Sequence, residues 1–70
     1  MKSLPAKKVV AVLMRNGFRL ARQRGSHVIF KNSSGVMVSV PSHSGNRSIP
    51  IGTFLAIIKQ SKIAPDNFNL

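Results

Sequence analysis

Four turn signals cut the middle of this chain into pieces that suit strands and are too short for helices. Gly17, the pair Gly25-Ser26, the run Asn32-Ser33-Ser34-Gly35 and the Pro- and Ser-rich stretch PSHSGNRSIP at 41–50 leave three short segments between them. Segments of this length, bounded by Gly, Pro, Asn and Ser, read as strands over 18–24, 27–31 and 36–40. The NSSG run serves as a hairpin loop, and Val36, Val38 and Val40 share one face of the third strand. In the first strand the same alternation sends Phe18 and Leu20 inward.

Helical spacing flanks this meander on both sides. Ala6, Val9, Val10 and Leu13 follow the i, i+3, i+4, i+7 pattern, with Ser3 available as a cap, Pro5 in the first turn and Gly17 as a C-terminal stop. Ile51, Phe54, Leu55 and Ile58 repeat the pattern near the C-terminus, with Ser48 as cap, Pro50 in the first turn and Gly52 at a cost of about 1 kcal/mol. Residues 64–70 form a tail whose Phe68 and Leu70 pack back onto the domain. The expected fold is one α+β domain over residues 1–70 in the order α-β-β-β-α. A three-stranded antiparallel sheet of this size carries both helices on one face and leaves the other open.

Charge limits the partners of that open face. Eleven Lys and Arg against one acid, Asp66, give a formal +10, and such a chain is suited to a polyanion through release of condensed counterions. An acidic protein partner is also compatible with this charge. The basic residues are dispersed, with no long helix of purely basic face that would read as a membrane-surface anchor. Lys2, Lys7 and Lys8 before the apolar run 9–14 have the order of a signal peptide. That run is too short, however, and it is followed by Arg15 and Asn16 rather than by a cleavage pattern. No apolar stretch nears the roughly 18 residues that span a bilayer, so a soluble, cytoplasmic protein without a membrane partner is expected. Absence of cysteine removes disulfides and thiolate metal sites.

His27 opens the second strand directly after Gly25-Ser26. Alternation puts His27, Ile29 and Lys31 on one face and Val28 and Phe30 on the other. If Val28 and Phe30 are core, His27 and Lys31 lie on the open side. On the neighbouring strands, strict alternation adds Arg19, Ala21, Gln23, Met37 and Ser39 to that side. Arg22 and Arg24 have the opposite parity and reach the rim only through a twist or bulge.

One carboxylate, no Cys and no Tyr exclude most catalytic sites. Two-metal phosphodiester cleavage needs several carboxylates, a serine triad needs an orienting acid, and His27 with His43 makes a poor zinc site without further ligands. No cofactor is expected. RNA cleavage remains open, because RNA supplies its own nucleophile. A histidine can take the 2′-OH proton, and an unperturbed imidazole titrates near 6.5 and is mostly neutral at pH 7. Arg19, Arg22, Arg24 and Lys31, with Gly25, Ser26 and His43, are the candidate phosphate contacts, stabilising charge on the phosphoryl oxygens. His43, Lys31 or water could protonate the leaving 5′-oxygen. Ser42, Ser44, Gly45 and Asn46 could add donors, without Walker-type spacing. The four phenylalanines read as core, which disfavours base stacking.

In sequence order, Gly17-Phe18 at the end of the first helix, Arg22 to His27 entering the second strand, and Gly52-Thr53-Phe54 at the start of the last helix form a specific combination. Over residues 4–63 the chain resembles the HicA family of mRNA interferase toxins. The resemblance implies a double-stranded-RNA-binding-domain-like fold, cleavage of mRNA and His27 as the catalytic residue. It also implies a HicB-type antitoxin that binds the toxin and masks its site. The sequence departs from the common pattern at Ser44-Gly45-Asn46-Arg47 and at Ile51. The alternatives are a non-catalytic module of the same fold that binds duplex RNA by shape, and a basic scaffold protein.

Overall fold

A computed structural model describes residues 2–42 and 46–69. Its elements run α1 (Ala6–Arg15), β1 (Arg19–Arg24), β2 (His27–Lys31), β3 (Met37–Pro41), α2 (Ile51–Ser61) and a short 3-10 helix (Pro65–Phe68). The strands form one antiparallel sheet in the order β1-β2-β3. The α-β-β-β-α order and the antiparallel meander are as expected from the sequence.

α1 buries Ala6, Val9, Val12 and Leu13 and leaves Val10 half-buried. Its N-cap is Pro5. Ser3 does not cap it, because the Ser3 hydroxyl donates instead to the Ile49 carbonyl. The Ile49 N–H donates to the Leu4 carbonyl at 2.9 Å, and Pro5 bridges to Ser48. These contacts tie the N-terminus to the segment before α2, and α2 itself starts from Pro50 as N-cap, with no side-chain cap from Ser48. At the other end, Gly17 has φ +87°, a left-handed conformation that closes the helix and suits glycine.

α2 is rotated relative to the stripe expected for it. Phe54, Ile57, Ile58 and Ser61 are buried, while Ile51 and Leu55 are about half exposed. The run IGTFLAII is apolar on nearly every side, so sequence spacing alone leaves the buried face undetermined. Packing on β3 selects it. The C-terminal segment then folds into the 3-10 helix, and Phe68 sets its ring edge-on to Phe54 with centroids 6.0 Å apart and planes at 89°. The core gathers these rings with Phe18, Phe30, Val38, Val40 and Ile49. All four phenylalanines are therefore buried, and Leu70 lies outside the described residues.

Gly52 sits in the first turn of α2, and a Cβ there would meet nothing within 4 Å. Gly52→Ala should therefore raise stability by about 0.5–1 kcal/mol, mainly by restricting the unfolded chain. Chemical denaturation checks this as a higher midpoint with an unchanged slope.

Both helices pack against β3, at one edge of the sheet. β1, at the other edge, is exposed along its whole length. Leu20 was expected to point into the core; it faces the helix side, paired with buried Phe30, yet is 63% exposed. Its direction follows alternation. Its exposure follows from the position of the helices, which stop short of β1. Phe18, just before the strand, is 1% exposed and is core as expected.

Candidate functional site

β1 and β2 join through a two-residue loop, Gly25-Ser26, with Arg24 paired to His27. Gly25 has φ +57° and Ser26 has no positive φ, the pattern of a type II′ hairpin, which wants glycine in its first central position. The Ser42 N–H and hydroxyl both donate to the Ser26 carbonyl, at 2.7 and 2.9 Å. The turn is thereby fastened to the end of β3. A short loop anchored in this way holds the first residue of β2, His27, exposed at the sheet end.

Which cations share the face of His27 is decided by a β-bulge. Leu20 pairs with Phe30 and Arg22 with Ile29, so Ala21 is the extra residue. Beyond it the pairs are Gln23 with Val28 and Arg24 with His27. Residues directly opposite one another on antiparallel strands lie on the same face. Arg22 and Arg24 therefore join His27, Ile29 and Lys31 on the open face, and Gln23 goes to the helix side. This corrects strict alternation, which put Gln23 on the open face and left both arginines off it. The sequence of β1 alone carries no signal for this bulge, which is defined by its register with β2.

The pairing also grades the cations by distance. Arg24 is directly across from His27, which puts the two Cα atoms about 4.5–5.5 Å apart. Lys31 is on the same face but four residues along β2, about 13 Å away at the usual strand rise. Arg19 pairs with Lys31 at that far end, and its guanidinium is already engaged. Its Nη1 donates to the Met14 carbonyl at 3.0 Å and the Phe18 carbonyl at 2.7 Å. It thus caps the C-terminal end of α1, where a cation also meets the negative end of the helix dipole. Arg19→Ala should lower stability by about 1 kcal/mol, read by thermal melting.

The site assembled on the described residues is therefore His27 with Arg24 opposite and Arg22 next along the same face, on a turn formed by Gly25 and Ser26. The flat floor beside it is half-buried Ile29 and Ser39. Arg24 and Arg22 each present a planar guanidinium whose N–H fork suits phosphate oxygens. Lys31 lies at the far end of the same face. His43, proposed from sequence as a phosphate contact or proton donor, lies outside the described residues, as do Ser44 and Gly45. Among the described residues, no group of three or more His, Cys, Asp or Glu side chains could hold a metal ion. Among the described residues, no helix is long and apolar enough to cross a membrane.

Residues 6–63 match the model of a protein family described as the HicA toxin of bacterial toxin–antitoxin systems. No curated protein matches the chain.

Proposed function

Because the chain belongs to the HicA toxin family, and so takes the toxin role in a toxin–antitoxin pair, we propose that it acts as an endoribonuclease that cleaves mRNA without a metal ion. The observation that carries this is the face shared by His27, Arg24 and Arg22, which the Ala21 bulge creates. An exposed imidazole supplies a base, and two guanidiniums that cannot lose their charge supply phosphate contacts.

In the proposed reaction, His27 removes the proton from the ribose 2′-OH as the 2′-oxygen attacks the adjacent phosphorus. The bond from phosphorus to the 5′-oxygen breaks, leaving a 2′,3′-cyclic phosphate on one fragment. The 5′-oxygen takes a proton from water or from the imidazolium formed in the first transfer. Arg24, opposite His27, meets the charge that builds on the phosphoryl oxygens, and Arg22 holds the neighbouring backbone. Gly25 and Ser26 let the strand approach closely, because the turn carries no bulky side chain. The partner that restrains this activity is a HicB-type antitoxin, and the cytoplasm, where mRNA is found, is the proposed place of action.

The test is incubation of the purified protein with single-stranded RNA in EDTA, beside the same oligonucleotide carrying a 2′-deoxyribose at the cleaved position. Cleavage of the RNA to a cyclic phosphate, with the deoxy substrate intact, is the expected result. Binding of both without cleavage would instead establish the non-catalytic RNA-binding module.

A further inference from the structure

Strand pairing sorts the open face into two lanes. Arg24 and Arg22 hold successive same-face positions of β1, opposite His27 and Ile29. Lys31, on β2, supplies the next cation, because the guanidinium of Arg19 opposite it is turned to the end of α1. Toward β3 the charges stop. Ser39 pairs with Ile29 and Met37 with Lys31, and residues directly opposite one another share a face. Ile29, Ser39 and Met37 therefore form a neutral floor beside the cations. Met37 is 48% exposed on it, a large apolar side chain that neither the core nor the proposed cleavage step uses.

A single RNA strand has the same two-lane form, with phosphates along one edge and bases along the other. A duplex turns its bases inward and presents phosphates and riboses. The repeats match as well. One nucleotide contains as many backbone bonds as a pair of amino-acid residues, so an extended RNA strand advances by nearly the step of about 6.6 Å between same-face residues of a β-strand.

We propose that Met37, with Ile29 and Ser39, is a base-binding floor for the nucleotides next to the cleaved bond, while Arg24, Arg22 and Lys31 hold their successive phosphates. This deepens the ribonuclease reading above and rests on it for the phosphate placed beside His27. All four phenylalanines are buried, so the apolar contact falls to Ile29 and Met37. The thioether of Met37 is polarizable and makes favourable contact with an aromatic ring, and the Ser39 hydroxyl can donate to or accept from a base edge. Duplex RNA gains nothing from this floor, because its phosphates would lose hydration against Met37 without apolar contact in return. A preference for the single strand has the opposite sign to bare electrostatics, since a duplex carries the higher charge density and releases more counterions per phosphate neutralised.

The experiment titrates the protein by fluorescence anisotropy, over a range of salt, with a short labelled 2′-O-methyl RNA, which lacks the nucleophile and stays intact, as a single strand and as a duplex. The native protein should bind the single strand about tenfold more tightly than the duplex. Met37→Ala should weaken single-strand binding about fivefold with an unchanged salt slope, and Met37→Leu should restore it. Lys31→Ala should instead flatten the slope of log affinity against log salt by roughly 0.7, the worth of one phosphate on a single strand. Both residues are exposed, so neither truncation opens a cavity. Equal or tighter binding of the duplex overturns the proposal, and so does native single-strand affinity in Met37→Ala. If Met37→Ala keeps RNA affinity and loses only that for a cognate antitoxin, the floor belongs to the antitoxin and the proposal also falls. A protein that binds the strand in the expected pattern yet cleaves no RNA refutes the ribonuclease reading and leaves the floor standing. One that cleaves RNA while Met37→Ala and Lys31→Ala both bind as the native protein does overturns the floor alone.

Discussion

Replacing His27 by alanine is expected to lower RNA cleavage by about 10²–10⁴-fold, the usual worth of a positioned general base, while RNA affinity changes less than threefold. The asymmetry follows from where the positive charge sits. Arg22, Arg24 and Lys31 share the open face and carry the electrostatic attraction, so removing the His27 side chain leaves that attraction in place. His27 is exposed at the start of β2, so its removal opens no cavity and should leave the melting temperature within a degree or two. Cleavage and filter binding measured on the same preparation check the prediction. Equal loss of binding and cleavage would mean that His27 holds RNA rather than acts on it, and unchanged cleavage would remove it from the reaction. Gln in place of His, which keeps the polarity and loses the base, should fail as completely as Ala.

The second large effect is on folding. Phe54→Ala should cost about 3–5 kcal/mol, because Phe54 is fully buried at the heart of the helix–sheet contact and stacks edge-on with Phe68. At the usual 0.05–0.15 kcal/mol per residue, a chain of 70 residues has only about 3.5–10 kcal/mol in total. The variant should therefore be largely unfolded at 37 °C, visible as loss of the cooperative thermal transition. Phe54→Leu retains most of the volume and should stay folded, at a cost of about 1–1.5 kcal/mol. If Phe54→Ala instead melts like the native protein, the first turn of α2 and the 3-10 helix are not part of the cooperative core.

Much of this architecture was legible because its signals are local. Gly17, Gly25-Ser26 and the NSSG loop set the ends of the elements. Asn32 illustrates the mechanism, since its side-chain oxygen accepts from Ser34 and Val36 N–H at 3.1 and 2.9 Å and closes the second hairpin. His27 was placed on the open face correctly because only the alternation within β2 was needed. The helices begin at Pro5 and Pro50 rather than at serine caps, since the Ser3 hydroxyl is turned to the Ile49 carbonyl and the backbone at Ser48 bridges to Pro5. That contact joins residues more than forty apart, and no sequence window contains it.

The sequence by itself determined the order of the elements, the turns, the surplus of cations and the face that His27 occupies, since each depends on neighbouring residues and backbone preference. The tertiary structure decided three further matters. Packing on β3 chose which side of the apolar α2 is buried. The placement of both helices over β3 left β1 uncovered, which turned Leu20 from a core residue into an exposed one. Pairing with β2 put the bulge at Ala21 and so brought Arg22 and Arg24 beside His27. A bulge is a property of two strands in register rather than of one, so the residues that complete the site were fixed only when β1 met β2.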